Sequence, residues 1–313
     1  MNGLDGFGDR AWFEAWYEAF APGVPRYPLA IAAADVQPEL IVGDVRVLRR
    51  PWRFLRAPVN AHSPKYGWTL ADRPVPETLS QGLLESLRAS GCHGIQIDLV
   101  PQGSPAFELL SEVVAAGWWV AAFHEVEQTA LVDVTGDWAR YLEGRAKKLR
   151  KTLNAQERQL RERGVVSFRD VGHDPDWALW LERAFRLEAA GWKGQHGSAI
   201  LQHPNEARFY RTVAEAAAQK GKLRLNVLTL DDRLIAFQFA IVEDSAFFWL
   251  KTAYDEQLDH YGPGSIIAKL SLKECFEDPG VAVFYLPGPG AWKYRWGTGS
   301  ERLIRVRLAP AGS

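Results

Sequence analysis

Hydrophobic positions in the first third of the chain switch repeatedly between a helical and an extended period. Residues 11–20 read as a helix, and residues 40–48 alternate as a strand with Ile41, Gly43, Val45 and Val47 on one side. Residues 80–90 bring Leu83, Leu84 and Leu87 onto one helical face and end at Gly91, before the extended run 94–100. Residues 105–116 repeat this arrangement, closed by Gly117 and followed by the extended run 118–123. Such alternation predicts an α/β layout with crossover connections. Residues 56–68, rich in Pro, Gly, Asn and His, read as a long loop.

The character changes after residue 136. Residues 137–164 read as one or two helices, with Leu149, Leu153 and Leu160 on a narrow stripe. The stretch 145–163 is strongly basic, carrying Lys147, Lys148, Arg150, Lys151, Arg158 and Arg161. A strand over 165–169 precedes a helix with Asp174 as the expected N-cap and Pro175 as its first residue. That helix gathers Trp177, Trp180, Leu181, Ala184 and Phe185 on one face and ends near Gly191. Three extended runs, 222–230, 234–242 and 246–254, are separated by turns at 231–232 and 243–245 and predict a meander. A loop over 257–264, a mostly buried helix over 265–277, a strand over 281–286 and a terminal strand over 302–308 follow. The expected domains are 1–136 and 137–313.

Composition narrows the function. A net charge of −1 over 313 residues argues against a chain devoted to nucleic acid or to an anionic membrane surface. No apolar run approaches the roughly 18 residues of a membrane span. The first residues lack the basic and apolar regions of a signal peptide, so a cytoplasmic setting is expected. Cys92 and Cys275 lie far apart and read as reduced core residues. No His, Cys and carboxylate set has metal-ligand spacing, so no metal is expected, and the lone His62 and His124 read as structural. The 13 tryptophans against one methionine suggest a core of aromatics, with a minority lining a groove for an apolar ligand.

The most informative junction is YDEQLDHYGPGSI at 254–266, where a buried strand meets a Gly-Pro-Gly loop and a helix start. Gly262, Gly264 and Ser265 leave backbone N–H groups and the helix dipole open to an anion such as a diphosphate, or make a plain turn. Lys251 and Gln238 are polar residues inside apolar strands, so each either pairs structurally or points into a cleft.

Longer stretches resemble a known family. The order meander, strand, glycine loop, buried helix, strand resembles motif A of the GNAT superfamily. WLKTAYDEQLDHYGPG at 249–264 and LPGPGAWKYRW at 286–296 are similar to segments of its CelD-like branch, as are the basic helix, AGWKG, PVNAHSPKYGW and VPQGSP. The resemblance implies two tandem GNAT-like domains of α/β (α+β) class, each a mixed, mostly antiparallel sheet flanked by helices. It implies an acyl-CoA thioester (acetyl or longer) as co-substrate, direct attack by an amine acceptor, and no metal. The thioester would lie against Leu250, Thr252 and Ala253, where a backbone N–H meets the oxyanion, and its diphosphate against Tyr261, Gly262, Pro263, Gly264, Ser265 and Ile266. Catalytic candidates are Asp255, as proton acceptor or turn cap, Tyr254, as acid or packing residue, and Lys251. Trp192, Lys193, Gln238, Trp249 and Lys293 are the acceptor-side candidates, Lys293 as an anion holder or a solvated lysine.

Two departures stand out: Phe284 occupies a position that is commonly acidic, and the loop 261–264 is poorer in glycine than in many relatives. Competing expectations are a Fem-type peptidyltransferase fed by aminoacyl-tRNA, with the basic helix as the tRNA contact or as a solvated face, and a non-catalytic binding scaffold.

Overall fold

The computed structural model describes residues 7–29, 38–47, 50–68, 75–288 and 290–312. Along the chain run α1 (Arg10–Phe20), β1 (Arg26–Pro28), β2 (Glu39–Val47), β3 (Arg50–Arg56), α2 (Pro76–Ser90), β4 (Gly94–Pro101), α3 (Pro105–Ala115) and β5 (Trp119–Asp133). There follow α4 (Trp138–Glu143), α5 (Lys147–Arg161), β6 (Val166–Asp170), α6 (Trp177–Ala190), the single turn α7 (Trp192–Gln195) and α8 (Pro204–Gln219). The chain closes with β7 (Leu223–Leu230), β8 (Arg233–Glu243), β9 (Ala246–Tyr254), α9 (Pro263–Glu277), β10 (Val283–Leu286) and β11 (Gly299–Pro310).

Contacts divide the chain into Met1–Thr129 with Ser300–Ser313, and Ala130–Gly299. Pairing, not chain order, assigns the last strand: β11 lies antiparallel on β4, with Ile304 opposite Val100 and Leu308 opposite Ile95. The terminal strand therefore completes the first unit, where chain order had put it in the second. In that unit the strands run β1-β2-β3-β4-β11, parallel only between β3 and β4. Leu79 and Leu83 of α2, Leu109 and Val113 of α3, and Ile95 and Ile97 of β4 join one buried core.

The second unit repeats the plan. Its strands run β5-β10-β9-β8-β7-β6, parallel only between β9 and β10, with the end of β5 (Ala130–Asp133) covering β10. The meander turns are tight because Asp231, Asp232, Asp244 and Ser245 all take positive φ, between 46° and 63°. Short polar side chains that bond locally tolerate this conformation, and a two-residue turn of this hand matches the strand twist. α6 begins later than expected: Asp176, not Asp174, is its N-cap. Trp180, Leu181, Ala184 and Phe185 form its buried face. α9 begins earlier, with Pro263 in its first turn, and a 3₁₀ turn over Glu256–Tyr261 replaces the expected loop.

No described helix is long and apolar enough to cross a membrane. Cys92 and Cys275 are free thiols, and Cys275 is buried on α9.

α5 is polar except for Leu149, Leu153, Ala155 and Leu160, of which Leu153 and Leu160 are buried. A polar helix with so thin an apolar stripe needs further attachment, and Glu157 supplies it by accepting from Lys269 of α9 at 2.7 Å and from Arg161 at 3.2 Å. Burial pushes the Glu157 carboxyl up, but these two cations outweigh it and hold the pKa below its ordinary 4.5. A lowered carboxylate contributes stability above the unfolded-state pKa and loses it as pH falls through the folded one. Glu157→Gln should therefore cost about 1–2 kcal/mol at pH 7. Its loss of stability on acidification below about pH 4.5 should be shallower than in the parent, as thermal melts across pH 3–7 would read.

Candidate active site

The site begins where two strands part. β9 and β10 pair in parallel from Ala246 and Val283 to Phe248 and Tyr285. β10 then ends at Leu286, before Pro287 and Gly288, while β9 runs on to Tyr254. A bulge falls at the parting: Trp249 faces Ala240 and Lys251 faces Phe239, which leaves Leu250 as the extra residue.

The side on which β9 remains open follows from its ladder. The Asp255 N–H donates across to Ile235 of β8 at 2.8 Å. Backbone groups alternate sides along a strand, so Thr252 and Tyr254 turn theirs away from β8, toward the side β10 has left. The Thr252 carbonyl on that side accepts from Lys193 Nζ at 2.9 Å.

A cavity of about 560 Å³ occupies this opening. The end of β9 forms one wall, with Trp249, Thr252 and Tyr254, and the first turn of α9 another, with Gly264 and Ser265. The end of α6 and the turn α7 add Glu188, Trp192 and Lys193. Trp292 and Trp296 close the remaining side. The Trp296 carbonyl is held by Tyr141 Oη at 2.6 Å and Arg145 at 3.2 Å, so α4 and the link from α4 to α5 hold that segment.

The charged groups of the wall are tied to one another. Glu188 is a fully buried carboxylate on the apolar face of α6, and a buried charge needs a counterion and hydrogen bonds. It accepts from Lys193 at 2.6 Å and from the Ile200 N–H at 2.9 Å. Lys193 thus joins the buried carboxylate to the open edge of β9. The tight return of α7 onto α6 depends on Gly194, where a Cβ would overlap the Ala189 carbonyl. Glu256 accepts from the Trp192 N–H at 2.6 Å, and Asp259 from Tyr254 Oη at 2.8 Å. Burial pushes the Tyr254 phenol up to about 12, and the Asp259 hydrogen bond with the charges of Asp259 and Glu256 adds to it. The phenol stays protonated at neutral pH.

Of the residues singled out from sequence, Tyr254, Trp249, Thr252, Ala253, Trp192, Lys193, Gly262, Gly264 and Ser265 line this cavity. Others are engaged elsewhere. Asp255 caps the 3₁₀ turn through the Gln257 N–H and pairs with Arg233 at 2.8 Å, while its neighbours Glu256 and Asp259 line the cavity. Gln238 is fully buried and accepts from Asn226, whose amide also reaches Ser271 at 2.7 Å, a structural pairing inside the sheet. Lys251 packs 5.1 Å from the Tyr210 ring, and burial depresses its pKa. Lys293 donates to the carbonyls of Pro287 and Gly288 and so closes its own loop, leaving Arg295 to line the cavity. Leu250 is the bulged residue, and Ile266 is core. Phe284 stacks on Phe247 at 4.7 Å, so an apolar pair fills the commonly acidic position.

The start of α9 offers an anion less than its sequence suggests. Pro263 has no N–H, the Ser265 and Ile266 N–H groups turn back onto the Gly262 carbonyl at 3.0 Å, and Gly262 donates to Asp259. The Gly264 N–H alone is left over in that first turn, with the Ser265 hydroxyl beside it. Gly264 is required by proximity, since a Cβ there would lie 2.9 Å from the Tyr254 ring.

Glu188, Glu256, Asp259 and Arg295 escaped the sequence reading. Glu188 carried a signal: it continues the stripe Leu181, Ala184, Phe185 by one turn, and a glutamate on a buried stripe demands a partner.

Comparison with known proteins places this geometry. Residues 147–295 match the family model described as "Acetyltransferase (GNAT) domain". No curated protein matches the chain. Among solved structures, FemX is 12% identical, with a TM-score of 0.61 over 97% of this chain and 92% of that one. A conserved protein of unknown function from Bacteroides thetaiotaomicron is 11% identical, with a TM-score of 0.56 over 98% and 100%. A domain assigned as the C-terminal part of a lysylphosphatidylglycerol synthetase from Agrobacterium fabrum is 14% identical, with a TM-score of 0.55 over 96% and 87%. At these identities the likeness is one of fold. Residues 147–295, which make up most of the second unit, thus carry the match to a GNAT acetyltransferase domain, and the fold seen in FemX runs across the chain.

Proposed function

We propose that the protein transfers an acyl group from a coenzyme A thioester to an amine. The observation that carries this reading is the open edge of β9 beyond its parting from β10, beside a cavity of about 560 Å³. A thioester contributes an activated carbonyl carbon and a thiolate leaving group. An acyl carbonyl laid along β9 would meet the Thr252 N–H, a fixed donor for the oxyanion that forms on attack. The amine loses its proton to a carboxylate of the wall, Glu256 or Asp259, its nitrogen bonds to the acyl carbon, and the C–S bond breaks. Tyr254, protonated and oriented by Asp259, supplies the proton to the departing thiolate. In this assignment the proton acceptor moves from Asp255 to the carboxylates that line the cavity. Lys251 stays outside the chemistry.

The residues present fit the thioester end of the donor better than its diphosphate. One free amide and a serine hydroxyl stand at the start of α9, within a cavity that Glu256 and Asp259 also line. That combination favours one second reading, a Fem-type transfer from aminoacyl-tRNA, whose donor has no diphosphate at this point. Exposed Lys147, Lys148 and Lys151 of α5 would then meet the nucleic acid.

Incubation with a panel of acyl-CoAs and amines should release thiol in proportion to amine consumed. Dependence on charged tRNA instead would install the second reading, and binding of neither donor would leave a scaffold without catalysis. Tyr254→Phe should lower kcat by roughly 10²-fold while shifting the donor KM little. An equal kcat in that variant would remove Tyr254 from the chemistry. Because the phenol titrates near 12, the parent rate should show no loss assignable to Tyr254 between pH 8 and 10.

A further inference from the structure

The wall of the cavity says more about the acceptor than "amine". Three carboxylates, Glu188, Glu256 and Asp259, face two cations, Lys193 and Arg295. Glu188 and Lys193 neutralise each other in their 2.6 Å pair. What remains is Glu256 and Asp259 against a single guanidinium. Each of these carboxylates gives one oxygen to the wall, Glu256 Oε1 to the Trp192 N–H and Asp259 Oδ1 to the Tyr254 hydroxyl, and keeps the other for a ligand.

The aromatic groups stand around the same space. Trp249 and Trp292 meet at 68° with centroids 5.5 Å apart, so two indoles form a corner rather than a stack. Trp292 and Trp192 are 36% and 52% exposed, a large apolar surface left to water beside the carboxylates. Indole faces attract cations, and their area favours any apolar stem that covers them. A corner of indoles beside spare carboxylate oxygens matches a ligand that is apolar along its length and positive at one end.

We propose that the cavity takes its acceptor as an organic ammonium on an aromatic or aliphatic stem, with Glu256 and Asp259 holding the charged end and Trp192, Trp249 and Trp292 the stem. The assignment as acceptor rests on the acyl-transfer reading; the recognition itself does not. It also sets an order of events: the ammonium gives one proton to a carboxylate that bound it before its nitrogen attacks, and its second proton passes to the other carboxylate as the N–C bond forms.

The test is titration calorimetry of the full chain, without any thioester, at pH 7 with three probes of one shape: 2-phenylethylammonium, 2-phenylethanol and 3-phenylpropionate. The ammonium should bind at least about tenfold more tightly than the alcohol, and the propionate more weakly than either. Glu256→Gln with Asp259→Asn should remove that advantage and leave the alcohol unchanged, whereas Trp292→Ala should weaken ammonium and alcohol alike. Equal binding of ammonium and alcohol, tighter binding of the propionate, or no binding of all three would overturn the proposal without using either variant. Because no donor is present, such failure leaves acyl transfer standing. An ammonium that binds as expected yet is never acylated by any donor would sink the acyl-transfer reading and leave the recognition intact.

Discussion

A backbone that leaves a sheet has hydrogen bonds to replace, and the second unit is arranged around that demand. Past Phe248, β9 keeps its ladder to β8 on one side and loses its parallel neighbour on the other. Peptide groups facing that gap need partners from side chains, water or a ligand. Lys193 takes one carbonyl, the buried Glu188 anchors Lys193, and the α6–α7 corner keeps that pair in place. Each of these features is a consequence of one missing strand contact. The remaining groups on the edge face a cavity of about 560 Å³, large enough for a small molecule.

The two units share one architecture. Both contain a mixed sheet with a single parallel pair, β3 with β4 in one and β9 with β10 in the other. In each unit that pair separates after three residue pairs, and the matched acetyltransferase family model covers most of the second unit and none of the first. The fold likeness to FemX, in contrast, extends over nearly the whole chain.

Much of the fold was legible because its elements are set by short-range pattern. The meander, its Asp-Asp and Asp-Ser turns, the apolar helix α9 and the basic α5 all fall where period and turn residues put them. What escaped depends on contacts between distant residues. No local signal places β11 against β4. Several residues chosen from the sequence line the cavity, and others near them in the chain do not. YDEQLD offered carboxylates at 255, 256 and 259, and the unforeseen 3₁₀ turn sends the first to Arg233 and the other two to the cavity. Lys293 is bound to its own loop, and Arg295, two residues on, lines the cavity instead. Gln238 looked like a polar residue seeking a ligand because sequence cannot show that Asn226 and Ser271 lie beside it.

Lys193 reaches the edge of β9 while tethered to a carboxylate that water does not touch. Withdrawing the lysine alone would strand Glu188 as a buried anion, at a cost of several kcal/mol. A ligand therefore cannot compete for the Thr252 carbonyl by pushing that side chain aside. If this side of the cavity opens, lysine, glutamate and helix end must travel together, so the corner behaves as a hinged jaw rather than a movable latch.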